Sequence, residues 1–124
     1  MDPVLIHGDF HPQQILLDEE RERSTLIDWD ETRVGDPRED VGNLLAHLHL
    51  LELEERLSDA EADRLRSLFL GETGSPPDIS PFVALHLVKL AFVPLRDLRS
   101  DWRDAIRRLL ERATTILSCL EATK

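Results

Sequence analysis

Hydrophobic positions follow two different patterns along the 124-residue chain. In the first third they form short runs beside polar turns, which is typical of β-strands. Three strands are predicted, over residues 4–6, 15–18 and 25–29. The charged segment 19–24 separates the last two and predicts a hairpin. Each run ends near an acidic residue or a histidine, so polar groups collect at the strand ends.

From residue 37 onward the spacing of apolar residues is that of α-helices. Pro37 suits a first helical position, and apolar residues then recur at three- and four-residue steps through 41–51. Ser58 and Glu61 form a capping box, which predicts the start of a second helix. Glycines, prolines and serines then predict a loop over 71–80.

Two further helices are predicted in the remainder of the chain. The first begins near residue 80, and Pro94 should kink or end it because proline has no amide to donate. One side of it is predicted to carry Phe82, Leu85, either Val88 or Lys89, and Phe92. The last helix, capped at residues 100–101, carries one apolar stripe for core packing: Trp102, Ile106, Leu109, Ala113, Ile116 and Leu120. These elements predict an α+β fold that is predominantly α-helical.

Composition narrows the class of protein. Apolar residues make up 41% and charged residues 32%, an ordinary balance for a globular protein. The formal net charge of −10 disfavours nucleic acid and weakly favours a cationic small molecule. Neither a membrane-spanning run nor a signal peptide is expected, which predicts a cytoplasmic protein. Cys119, the single cysteine, cannot form an internal disulfide and is expected to pack as a thiol.

The candidate chemistry lies in the first forty residues. Asp9 follows the first predicted strand, in a turn that Gly8 and Pro12 keep irregular. Asp28 lies at the end of another strand, which the hairpin could bring alongside, and Gln14 lies between them in sequence. Mg²⁺ takes hard oxygen ligands and few protein carboxylates. A separate carboxylate can then orient an acceptor hydroxyl and take its proton, as metal-assisted phosphoryl transfer requires.

Three sequence blocks make this interpretation more specific. In order along the chain they are His7-Gly8-Asp9-x-His11-Pro12-x-Gln14, Ile27-Asp28-Trp29-Asp30 and Gly35-Asp36-Pro37-x-x-Asp40. They resemble the aminoglycoside phosphotransferase and choline kinase type family of the protein-kinase-like superfamily. The family pattern is HGD-x-x-x-x-N, then I-D-F/W-D/E, then GDP-x-x-D. Order and spacing agree in all three blocks, and the resemblance covers residues 5 to about 50.

The resemblance implies a role for each matching residue. Asp9 matches the catalytic base that holds the acceptor hydroxyl, and Asp28 matches the aspartate that binds Mg²⁺ beside the ATP phosphates. Gln14 stands where most members have a metal-binding asparagine; it keeps the amide oxygen but adds a methylene. His7 and Asp40 match positions that brace the catalytic loop.

Other polar residues are assigned more loosely. His11 and Asp30 lie close to the reacting centre by resemblance and are possible contacts to substrate or metal. Structural roles, half-buried or solvated, are expected for the histidines of the helical region: His47, His49 and His86. Trp29 is expected to pack against the core.

By resemblance the chain 1–124 is a kinase-like C-terminal lobe, with a catalytic hairpin over about 4–36 and a helical subdomain over about 37–124. The resemblance also leads us to expect that the nucleotide-binding lobe, with its glycine-rich loop and strand lysine, is absent from these residues. Only Lys89 and Lys124 are lysines, and neither is placed for that task. The implied reaction transfers the ATP γ-phosphate to a small-molecule hydroxyl with Mg²⁺. The isolated chain should be inactive or very weak, and should self-associate or bind a partner chain that covers its exposed apolar surface.

Two other functions remain open at this point. A catalytically inactive kinase-like interaction module, which dimerises or binds a partner, accounts for the same motifs. A metallophosphoesterase is suggested by Asp9-Phe10-His11 and by Gly35-Asp36 with Gly42-Asn43. However, Leu44 stands where the histidine after the asparagine should be. A binuclear metal site would therefore lack ligands.

Overall fold

The computed structural model describes residues 1–122, and four short strands precede five helices. The strands are β1 (Val4–Ile6), β2 (Ile15–Asp18), β3 (Arg23–Leu26) and β4 (Arg33–Gly35). The helices are α1 (Arg38–Leu53), α2 (Asp59–Thr73), α3 (Ser80–Leu90), α4 (Val93–Arg96) and α5 (Trp102–Ala122). The predicted α+β composition with a helical majority is confirmed. Lys124 lies outside the described residues.

The strands form two separate antiparallel pairs. The predicted hairpin is present as β2 and β3, with Ile15 opposite Leu26 and Asp18 opposite Arg23. Strand β3 ends at Leu26, so the prediction that it continues through residue 29 is wrong. The chain turns at Asp28, whose φ is +60°, a value that a strand cannot accommodate. The pairing of β1 with β4 was not predicted, because a three-residue strand paired across thirty residues leaves little local signal.

Helix α2 begins as expected and ends later than expected. The Ser58 hydroxyl accepts from the Glu61 amide, and the Glu61 carboxylate accepts from the Ser58 amide, which confirms the capping box. The helix continues through Gly71 to Thr73, so the first part of the predicted loop is helical. It ends at Gly74, whose φ of +76° suits the left-handed C-cap position.

The core lies between helices α1, α3 and α5. Its buried apolar side chains are Val41, Leu45, Ala46, Leu48, Val83, Ala84, Leu87, Ala91, Leu109 and Ala113. Every residue of the predicted stripe on α5 is buried or half-buried, as expected. The predicted apolar side of α3 is wrong: Leu85 and Phe92 are 50% and 70% exposed, and Leu87 is fully buried. Helix α3 packs against both α1 and α5 and therefore buries a different face.

Two other expectations about packing are not met. Cys119 is exposed on α5, off the apolar stripe. Trp29 is 49% exposed and lies outside the core. Its indole N–H donates to the Leu26 carbonyl at 3.0 Å, and its ring lies 4.7 Å from that of His7. Among residues 1–122, no helix combines the length and the apolar character needed to cross a membrane.

Candidate active site

The turn after β1 is held by a buried histidine. His7 is only 4% exposed, and its Nε2 lies 2.8 Å from the carbonyl oxygen of Ile27. Its Nδ1 accepts from the amide of Asp9 at 3.3 Å. A neutral ring with its proton on Nε2 satisfies both contacts, since one nitrogen donates and the other accepts. The imidazole thus joins the turn that carries Asp9 to the segment that carries Asp28.

The same turn is attached to helix α1 through Asp40. The amide of His7 donates to Asp40 Oδ2 at 2.7 Å, and the amide of Gly8 donates to Asp40 Oδ1 at 2.9 Å. Asp40 lies in the first turn of α1. Both oxygens of one carboxylate are therefore used to orient two consecutive amides, an arrangement stronger than two neutral hydrogen bonds.

Unusual backbone conformations occur on both sides of the site. Gly8 has a φ of +86°, and a Cβ there would lie 2.2 Å from the carbonyl oxygen of Glu31. Only glycine fits this position. Asp28 has a φ of +60° although it is not a glycine. Such a conformation costs about 1 kcal/mol or more and persists when surrounding contacts enforce it.

The carboxylates of Asp9 and Asp28 meet at the amide of Gln14. Gln14 Nε2 lies 3.2 Å from Asp9 Oδ2 and 3.2 Å from Asp28 Oδ2. Gln14 is 7% exposed and ends the 3-10 turn Pro12–Gln14, directly before β2. The backbone carbonyl of Gln14 accepts from the backbone amide of Ile27 at 2.9 Å, next to Asp28 in the chain. The hairpin therefore brings together the three residues to which metal and base roles were assigned.

Three further side chains surround Asp9. His11 Nε2 lies 3.5 Å from Asp9 Oδ2, and the His11 ring stacks on that of His47 with centroids 4.5 Å apart. Asn43 Nδ2 lies 3.5 Å from Asp9 Oδ1. Burial lowers the pKa of His47, so its ring is neutral near neutral pH. Asn43 and His47 were missed as site residues, although their four-residue spacing places both on one face of α1.

The remaining predicted residues lie elsewhere. Asp30 is exposed and, within residues 1–122, makes no hydrogen bond to Asp9, Gln14 or Asp28. His49 lies between helices, with Nδ1 2.8 Å from Arg112 Nη1 and 3.8 Å from Glu52 Oε2. Its surroundings agree with a structural role.

The donor atoms at this site are suited to Mg²⁺. Asp28, Asp9 and the Gln14 amide supply hard oxygens, and rotation of that amide would turn its oxygen towards the carboxylates. No group of three or more His, Cys, Asp or Glu side chains in the described part of the chain could hold a metal. Mg²⁺ needs only one or two protein carboxylates when phosphate and water complete its shell.

Comparison with known proteins identifies the family of this chain. The family described as "Phosphotransferase enzyme family" (APH) matches residues 1–76, which contain all three sequence blocks. The chain belongs to this family, and the resemblance seen in the sequence is confirmed.

One curated relative matches a short segment of the chain. The uncharacterized protein YcbJ of Bacillus subtilis (strain 168) is 50% identical over 36 residues. That match covers 29% of this chain and 12% of YcbJ, so the chain spans a small part of the relative's length. No solved structure matches the chain.

Proposed function

We propose that this chain carries the catalytic residues of a magnesium-dependent kinase that transfers the ATP γ-phosphate to a hydroxyl of a small molecule. The observation that carries the proposal is the meeting of Asp9 and Asp28 at Gln14, with 3.2 Å from the amide nitrogen to each carboxylate. Family membership supports phosphoryl transfer in general. The donor set and the open face of Asp9 support the particular reaction.

Asp9 acts as the base in this proposal. It borders a cleft of about 690 Å³ between the catalytic turn and the helices, large enough for a small metabolite. Its carboxylate orients the acceptor hydroxyl and takes the proton as the oxygen attacks phosphorus. The amides of Asn43 and Gln14, on either side, limit the rotation of the carboxylate. His7 and Asp40 act as positioning residues, because they hold the turn and touch no reacting atom.

Asp28 and Gln14 hold the metal in this proposal. Bound Mg²⁺ would neutralise charge on the phosphate oxygens. His11 contacts Asp9 and keeps its assignment as a possible substrate or metal contact. For Asp30 we expect a smaller role, because its side chain lies away from the group.

Transfer also needs contacts to the nucleotide that residues 1–122 do not contain. No glycine-rich loop precedes a strand lysine in this part of the chain, and Lys89 lies in the last turn of helix α3. Positioning supplies much of the catalysis in phosphoryl transfer. We therefore expect very weak or no turnover from these 124 residues alone. ATP consumption that disappears in Asp9→Ala would contradict this expectation.

An exposed apolar surface supports association with another polypeptide. Leu5 and Val34 are opposite each other on β1 and β4, and each is 71% exposed. Leu17 on the neighbouring hairpin is 74% exposed. We expect self-association or a partner chain to cover these side chains. Sedimentation should show a dimer or larger species that Leu5→Ser weakens, and a wild-type monomer at micromolar concentration would contradict self-association.

Metal binding gives the decisive test of the proposed function. Mn²⁺, a paramagnetic substitute for Mg²⁺, should broaden the amide resonances of residues near Asp9, Gln14 and Asp28 in a ¹⁵N-labelled chain, and excess Mg²⁺ should reverse the broadening. Asp28→Asn should abolish the effect. Asp78→Asn, an exposed aspartate in the α2–α3 loop, is the matched control and should leave it unchanged. Broadening that survives Asp28→Asn, or that is absent in the wild type, would refute the proposed site.

A further inference from the structure

The cleft beside Asp9 differs in charge from the rest of the chain. The chain as a whole has a formal charge of −10. The cleft, in contrast, is lined by four basic side chains and three carboxylates. The basic residues are Arg56, Lys89, Arg96 and Arg99, and the acidic ones are Asp9, Glu54 and Asp97. The lining of this cleft therefore lacks the excess of acidic residues that the whole chain has.

Two of the three carboxylates are already paired with arginines. Glu54 Oε1 accepts from Arg99 Nη1 at 2.8 Å, and Arg99 also contacts Asp101. Asp97 Oδ1 accepts from Arg96 Nε at 2.9 Å. The third carboxylate, Asp9, belongs to the reacting end of the cleft. We call the part of the cleft lined by Glu54, Arg56, Lys89, Arg96, Asp97 and Arg99 its wall. Both carboxylates of this wall are paired with arginines, so none is left to receive a cationic group of a ligand.

The unpaired charges on the wall are positive. Within residues 1–122, the side chains of Lys89 and Arg56 make no hydrogen bond or ion pair. Lys89 lies one helical turn after His86 on α3, and His86 also lines the cleft. Burial first, and then the positive charge of Lys89, lower the pKa of His86 to about 4. His86 is thus neutral near neutral pH and adds no charge beside Lys89.

The same wall leads from Lys89 towards the reacting end. Asp9, His11, His47, His86 and Lys89 all line this one cleft. The His11 and His47 rings are stacked with their centroids 4.5 Å apart. One small molecule can therefore reach from Asp9 along the imidazoles to Lys89.

We propose that the molecule whose hydroxyl meets Asp9 also bears an oxyanion, a carboxylate or a phosphate, which pairs with Lys89 and Arg56. This assignment of the acceptor class rests on the proposed function. It reverses the expectation from overall charge, which favoured a cationic ligand. A cationic amino sugar or amino alcohol would meet two unpaired cations and no available carboxylate on this wall, which disfavours it.

Binding of small hydroxyl compounds to the ¹⁵N-labelled 124-residue chain tests the proposal. The probes are glycerate, glycerol 3-phosphate, glycerol and choline, which carry a carboxylate, a phosphate, no charge and a positive charge. We expect one or both anions to shift amide resonances around the cleft, and glycerol and choline to bind more weakly. The tighter anion distinguishes a carboxylate from a phosphate acceptor. Tighter binding of choline than of both anions, or the absence of shifts with either anion, would overturn the proposal.

Substitutions at Lys89 test whether the anion binds at this residue. Lys89→Gln should weaken anion binding about fivefold, and Lys89→Arg should retain it, because an exposed charge pair contributes a few-fold in affinity. Arg64→Gln removes one positive charge from the exposed face of α2, away from the cleft, and is the matched control. Equal anion binding by Lys89→Gln and wild type would refute the assignment. Lys89 is exposed, so we expect the variant to fold, and its dispersed amide spectrum verifies this.

A final arm separates this proposal from the proposed function. In Asp28→Asn, Mn²⁺ broadening should disappear while anion binding stays at the wild-type value. If the wild type binds the anions through Lys89 but shows no broadening by Mn²⁺, the metal-dependent reaction is refuted and the anion site stands. If Mn²⁺ broadens the resonances but neither anion binds, the anion site is refuted and the metal site of the proposed function stands.

Discussion

The contact between Asp40 and the catalytic turn provides the sharpest test of how the site is built. The Asp40 carboxylate accepts two backbone amides, from His7 at 2.7 Å and from Gly8 at 2.9 Å. Asp40→Asn keeps the shape of the side chain but replaces one acceptor by an NH₂ group that faces an amide donor. A hydrogen bond to a charged group contributes about 1.5–3 kcal/mol. We therefore expect Asp40→Asn to lower the free energy of unfolding by about 2 kcal/mol.

The neighbouring glutamate gives a matched control. Glu39 precedes Asp40 in the same helical turn, and its carboxylate pairs with Arg33 at the surface. Glu39→Gln makes the same chemical change, but exposed ion pairs contribute about 0–1 kcal/mol. Urea unfolding followed by circular dichroism measures both variants. For a chain of this size, Asp40→Asn should also lower the melting temperature by about 8 °C.

A second readout distinguishes a positioning role from a purely structural one. The amide proton resonances of His7 and Gly8 should move upfield in Asp40→Asn, because hydrogen bonds to a carboxylate are lost or weakened. Mn²⁺ broadening near Asp9 should weaken in the same variant under conditions where it is still folded. Equal loss of stability in Asp40→Asn and Glu39→Gln, with unchanged amide resonances, would refute this account of the turn.

Three further predictions concern stability. Gly8→Ala should lower the free energy of unfolding in urea by at least about 2 kcal/mol, because the new Cβ would lie 2.2 Å from a carbonyl oxygen. Its control, Gly71→Ala, places the new Cβ in open space on α2 and should raise the free energy of unfolding by up to about 1 kcal/mol. Ser58→Ala should cost about 1 kcal/mol by the same measurement, since it removes the capping box of α2. Burial lowers the pKa of both His49 and His86 to about 4. Both rings stay neutral in the folded chain while the unfolded chain takes up protons below about pH 6.5, so stability should fall as the pH drops from about 6.5 towards 4. Urea midpoints that do not change between about pH 7 and about pH 5 would contradict this.

Local pattern was sufficient for much of the fold. The β2–β3 hairpin, the capping box of α2 and the stripe on α5 each depend on residues within one segment, so their spacing predicts them. The three motif blocks also lie close together in sequence, and they identified the family correctly. Predictions were wrong or missing where contacts between distant segments decide which face is buried or which strand forms. The buried face of α3 depends on two helices that flank it, and β4 depends on a strand at the start of the chain.

For the site, the order and spacing of residues along the chain were enough to predict which residue types could do the chemistry: Asp9, Gln14 and Asp28, in a spacing that the family shares. The tertiary structure decided which of the predicted residues meet. It placed Gln14 between two carboxylates, left Asp30 in solvent and brought Asn43 and His47 to Asp9 from a helix thirty residues away. It also decided the charge of the cleft, because ion pairing removes Glu54 and Asp97 from the wall. Pairing depends on distances in space, which composition and net charge do not contain.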